Sequence, residues 1–162
     1  MEESKKPRKV STPLEAKRKA ESYCAYQERA QQEVRNKLYE WGLNHETVEN
    51  IIAQLIEENF LNEERFAKAY TLGRFRMKGW GKIKIKQHLK LKKVSEPLIR
   101  LALKSIDMDE YDKKIDEIIE KRTKSLKSTI TFNEKTKLYT YLQSKGFESD
   151  IIFEKINQKQ NN

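Results

Sequence analysis

Cysteine occurs once, at Cys24, so an internal disulfide and a cysteine-based metal cluster are both excluded. Proline is absent between Pro13 and Pro97 and absent again after it, and only five glycines interrupt the chain, a scarcity of breakers that favours helices over a turn-rich sheet. No apolar run approaches the roughly 20 residues that span a bilayer. The N-terminus is charged and lacks the apolar segment of a signal peptide, so the cytoplasm is the expected location. Apolar residues make up 36% of the sequence, as do charged ones, which is little for one thick core. Yet Leu, Ile, Tyr and Phe recur along most of the length, against wholesale disorder. Several thin helical cores in a row fit this composition best.

Acidic residues are missing from one stretch. Residues 65–95 hold Arg65, Lys68, Arg74, Arg76, Lys78, Lys82, Lys84, Lys86, Lys90, Lys92 and Lys93 and no Asp or Glu. Residues 1–64 carry a net −3 and 96–162 a net +1, so the +9 of the chain is one central block. A solvated face normally mixes both signs, and eleven cations without an anion repel one another, so the block points to a polyanion, most often a phosphate backbone, or to an acidic partner.

What is present is a repeat. Val34, Leu38 and Leu43 around Gly42 return fifty-one residues later as Ile85, Leu89 and Val94 around Lys93. They return fifty-three further on as Leu138, Leu142 and Phe147 around Gly146. A second stripe follows each turn: Val48, Ile52 and Leu55, then Ile99 and Leu103, then Ile152 and Ile156. Each copy therefore reads as a helix, a tight turn and a second helix, preceded by another helix. Gly42 and Gly146 suit the left-handed residue that closes a helix, from which Lys93 departs. Asn44 and Ser95 are placed to cap the following helices, Pro97 falls in a first turn, and Glu148 is a weaker cap.

The segment from Gly81 to Lys93 alternates apolar and basic residues, as a two-faced strand would; the repeat decides for helix. Before it, Asn62 caps a helix with Glu63 and Glu64 in its first turn and Phe66, Ala69, Tyr70 and Gly73 on one face. The expected fold is all-α, an elongated tandem array of three three-helix units: a basic flexible tail over 1–13, a first unit over 14–60, a central basic unit over 61–106 and a third over 107–162.

The run from Leu61 through Arg65-Phe66-Ala67 to Tyr70, then Arg74-Phe75-Arg76 and Gly79-Trp80-Gly81-Lys82, resembles the central signature of the RecX family. Glu63 and Glu64 stand where that family usually has aspartates, and Lys93 where glycine is common. The threefold period near fifty resembles its tandem three-helix units, and together the matches cover residues 20 to 157. The resemblance implies a non-enzymatic regulator that binds the RecA nucleoprotein filament and modulates, in the inhibitory direction, its growth, ATPase and strand exchange. That would place the protein in homologous recombination, DNA repair and the SOS response. The alternative is an independent basic helical binder of DNA or RNA that needs no RecA.

The expected contacts to filament or nucleic acid are Arg74, Arg76, Lys78, Lys82, Lys84 and Lys86, clustered around the glycine turn, with Trp80. Trp80 is placed either to stack on a base or, the commoner role, to pack over a neighbouring helix. Trp41 reads as core, and Tyr139 and Tyr141 as divided between core and surface. Lys82 is followed by Ile83 and the third fingerprint glycine would fall at Lys84, so neither nucleotide-binding loop is present. His45 and His88 stand alone, and Cys24 reads as a small buried residue, so no metal, cofactor or catalytic set is expected. The acidic stretch from Asp107 to Glu120 reads as a helix N-terminus complementing its dipole, with contact to a basic patch on the filament or on the central unit as the other reading. A monomer is expected, since an array with a different face on each unit can act alone.

Overall fold

A computed structural model describes residues 10–124 and 129–161, and among these every regular element is an α-helix. In chain order they are α1 (Pro13–Tyr26), α2 (Gln31–Glu40), α3 (His45–Glu57), α4 (Glu63–Lys78), α5 (Lys82–Leu91), α6 (Glu96–Lys104), α7 (Met108–Thr123), α8 (Phe132–Ser144) and α9 (Ser149–Asn161). The chemistry of the caps explains most of the starts. Asn44 and Asn62 accept from the amides of Thr47 and Arg65, each at 2.9 Å. Thr12 and Thr131 form reciprocal capping boxes with Glu15 and Glu134. Ser95 occupies the N-cap of α6 without a side-chain bond, so there Pro97 in the first turn carries the start.

Of the expected basic tail, residues 1–9 lie outside the described residues. The remainder is not a tail: the Ser11 amide donates to the Trp41 carbonyl at 3.2 Å, Ser11 is buried, and Pro13 already begins α1. The alternating segment is helical, as expected. Ile85 and Leu89, four apart, are fully buried, while Ile83 before them and Leu91 after them face water. In all three copies the residues at the repeat positions are buried: Val34, Leu38 and Leu43; Ile85, Leu89 and Val94; Leu138, Leu142 and Phe147.

The buried face of α4 differs from the expected one. Phe66, Ala67, Thr71 and Phe75 are buried, Tyr70 and Gly73 are half-buried and Ala69 is exposed. A phenylalanine gains far more from burial than an alanine, and Phe66 and Phe75 together set the rotation of the helix.

Two compact units are distinguished. The first takes residues up to Ala67 together with Lys92–Val94. Its core joins Ala16, Ala20 and Cys24 of α1, Val34 and Leu38 of α2 and Val48, Ile51, Ile52 and Leu55 of α3, with Trp41 half-buried at the edge. The second takes Lys68–Leu91 and Ser95 onward. It buries Tyr111 between Phe75 and Phe147, ring centroids 5.6 and 5.5 Å away. Compactness thus cuts across the repeat, dividing α4 and grouping most of the central copy with the third.

Candidate nucleic-acid interface

The cationic block along the chain is not an unpaired block in space. Arg76 grips Glu110 with two bonds, Nε at 2.8 Å and an Nη at 3.1 Å. Lys86 and Lys90 share Glu96, at 3.3 and 3.9 Å. Arg65 pairs with Glu28, and Lys92 with Glu33. Five of the eleven cations are therefore answered by acids that lie outside residues 65–95. The expectation that no anion stands near them was wrong, because a count along the chain cannot see a partner 34 residues away.

The pairs carry their own pH dependence. The Arg76 hydrogen bond holds the Glu110 carboxyl below its usual range, and Lys86 does the same to Glu96. A depressed carboxylate pKa contributes stability above the ordinary carboxylate range and loses it as the pH falls through the depressed value. Both groups are exposed, so the effect on folding is small. The acidic stretch also works inside the protein. Asp107 caps α7 through the Glu110 amide, and Asp112 and Asp116 converge on Lys155, whose charge they hold against its burial. The reading as a helix N-terminus holds for Asp107; contact with the central copy's cations holds for Glu110.

Arg74, Lys78, Lys82 and Lys84 make no ion pair with a described acid. They surround the glycine turn. Gly79 closes α4 at φ 66°, its amide donating to the Phe75 carbonyl at 3.0 Å. Trp80 is half-buried beside His88, ring centroids 4.5 Å apart, with the Arg74 guanidinium 5.3 Å and the Lys84 ammonium 4.6 Å from its own centroid. Packing over α5 is thus the role the fold assigns it, while its remaining surface carries a cation on either hand. Lys82 lies 5.1 Å from the Tyr111 ring.

The turn is held rigidly. The first amides of a helix need acceptors, and α5 finds them in the third copy. Gly81 donates to the Lys145 carbonyl at 2.8 Å, Lys82 to the Tyr111 hydroxyl at 3.1 Å, and Ile83 to the Gly146 carbonyl at 3.0 Å. The Tyr111 hydroxyl in turn donates to Glu148, which is why Glu148 is spent here rather than as a cap. Burial, and then the neighbouring carboxylate, push the Tyr111 hydroxyl's pKa well up, so it stays protonated and able to donate. A Cβ on Gly81 would stand within 3.0 Å of the Gly146 and Phe147 backbone, and one on Gly146 within 3.0 Å of Lys84. Sequence reading missed Tyr111, Lys145 and Glu148 as positioning residues. Its one signal was the pair of glycines flanking Trp80, of which only Gly79 needs its backbone angle.

Burial pushes the Cys24 thiol up to about 11, so it stays protonated and inert at neutral pH. His45 bonds the Tyr39 hydroxyl at 2.9 Å, and no three His, Cys, Asp or Glu residues among those described could share a metal ion. Among the described residues no helix is long and apolar enough to cross a membrane.

These features define a class: a tandem series of three-helix domains with a rigid cationic turn in the central copy. The first, second and third three-helix domains of RecX match residues 16–55, 62–103 and 109–156. The chain belongs to the RecX family. A regulatory protein RecX of Prosthecochloris aestuarii is 31% identical over 144 residues, covering 88% of this chain and 91% of the relative. One of Clostridium perfringens is 32% identical over 136 residues, 83% of this chain but only 63% of the relative's length. The crystal structure of RecX from Lactobacillus salivarius matches the fold with a TM-score of 0.82 at 24% identity, over 93% of this chain and 97% of that one.

Proposed function

We propose that this protein binds the RecA–DNA nucleoprotein filament and restrains its growth, ATP hydrolysis and strand exchange. The observation that carries the partner is family membership over all three domains. Support for the nucleic-acid side comes from Arg74, Lys78, Lys82 and Lys84, unanswered by acids around a turn that is fixed by backbone bonds. A preorganised cationic turn meets phosphates without first being ordered, which lowers the cost of binding. On this reading Arg74, Lys78, Lys82 and Lys84 contact phosphate and Trp80 flanks the strand. Arg76 and Lys86 contribute through charge already shared with Glu110 and Glu96. The working units run over 14–60, 61–106 and 107–162, and the protein acts in the cytoplasm as a monomer without a cofactor.

A second reading is an independent nucleic-acid binder, favoured by the same turn, which would serve any phosphate backbone. Titrating the protein onto bare and RecA-coated single-stranded DNA separates them. Filament binding predicts tighter association with the coated strand, weakened by Arg74→Glu with Lys84→Glu. Equal or weaker association with the coated strand favours the second reading.

A further inference from the structure

The cations that crowd together along the chain are not the ones that converge in space. Within the second compact unit a cleft of about 420 Å³ is lined by Lys78 and Gly79, by Ile118, Lys121 and Arg122 of α7, and by Tyr141 and Lys145 at the end of α8. Four of these seven residues are cations, and no acid among the described residues lines the space. None of the four makes an ion pair with a described acid.

Helix ends account for part of that charge. The cationic lining stands at the C-terminal ends of α4, α7 and α8, and each helix C-terminus carries roughly half a negative unit, together about −1.5. Against four positive side chains this leaves a surplus of two to three charges. The field reaches Tyr141, whose hydroxyl is made more acidic by Arg122 first and by Lys145 and Lys121 after it.

Donors are available as well as charge. The Arg122 guanidinium carbon lies 3.1 Å from the centre of the Tyr141 ring and the group spends a donor on the Tyr141 hydroxyl, which leaves others of its five N–H donors for a ligand. Lys145 spends one of its three donors on the Lys78 carbonyl at 2.9 Å and keeps two. An added Cβ at Gly79 would meet only Ile118, at 3.8 Å, so the turn leaves the entrance open.

We propose that this cleft is a second phosphate-binding site, taking one or two phosphodiester groups of a nucleic-acid strand through Lys121, Arg122 and Lys145. The strand is favoured over a free ion because Lys78 borders both the cleft and the turn that carries Trp80, which makes the two cationic surfaces continuous. The inference rests on the nucleic-acid part of the function proposed above and not on RecA.

The test uses the full chain, a fluorescein-labelled oligothymidylate and no RecA, with anisotropy titrations between about 50 and 200 mM salt. Lys121→Gln with Lys145→Gln leaves the Arg122–Tyr141 contact in place; Lys113→Gln with Lys137→Gln removes the same charge outside the cleft. The cleft pair is expected to lose about tenfold in affinity and to flatten the salt slope by about 1.4, as for two lost phosphates. The control pair is expected to lose less than about twofold. Equal losses in both pairs, or none in the cleft pair, would overturn the proposal. Backbone amide shifts at Gly79 and the Nε–H shift of Arg122 separate the sources. Movement with oligothymidylate supports a strand site. Movement only with inorganic phosphate, or only with polyglutamate, overturns it in favour of a free ion or an acidic protein. Because RecA is absent, failure here leaves the filament reading standing, and failure of that reading leaves this one.

Discussion

The turns at Gly42 and Gly146 hold the same place in the repeat, yet only the second is also a joint. Both glycines are left-handed, at φ 91° and 94°, and both close the preceding helix with the same pair of backbone bonds. A Cβ at Gly42 would come nearest the side chain of Val10, at 3.3 Å, whereas one at Gly146 would strike the backbone of Lys84. Between them in the repeat stands Lys93, a left-handed residue that is not glycine at all, at φ 59°. The repeat therefore asks for one backbone angle three times, and docking adds a second demand once. The contrast shows where the cationic turn gets its rigidity: not from glycine as such, but from the close approach that glycine permits.

Substitutions can break or sharpen that contrast. The largest effect is expected for Gly146→Ala, which adds left-handed strain of about 1–2 kcal/mol to a backbone clash and should cost on the order of 4 kcal/mol in chemical denaturation. Gly81→Ala, with the clash alone, should cost about 3 kcal/mol. Tyr111→Phe leaves the Lys82 amide without its acceptor and should cost about 2 kcal/mol. Hydrogen exchange at Lys82 and Ile83 should rise well before exchange in α2 and α3. Gly42→Ala should cost only about 1 kcal/mol, since Val10 can give way. If Gly42→Ala and Gly146→Ala proved equally costly, the joint would contribute nothing. Lys93→Gly should raise stability by less than about 1 kcal/mol, seen as a small upward shift in melting temperature.

How much of this was legible beforehand follows from the reach of each interaction. The buried triplets at Val34, Leu38 and Leu43 and their equivalents could be read because helix periodicity is local and the three copies corroborate one another. The same corroboration turned the alternating segment of α5 from strand to helix. The rotation of α4 could not be read from spacing, since Ala69 and Ala67 look alike until Phe75 anchors the helix. Long-range partners were hidden altogether. Glu110 takes Arg76 from 34 residues away, and Gly81 meets Lys145 from the next copy. A charge count singles out residues 65–95 and passes over Lys121, Arg122 and Lys145, whose neighbours in sequence are mixed in sign but which line one cleft with no described acid.

The central claim is that the chain acts on the RecA filament and not merely on DNA. Its most direct test is DNA-dependent ATP hydrolysis by the cognate RecA on single-stranded DNA, with this protein titrated below stoichiometric amounts. The account predicts a clear fall at those amounts, because a filament-bound regulator acts on many subunits whereas simple competition for DNA needs amounts near the number of sites. An unchanged rate, even in excess and at low salt, would contradict it.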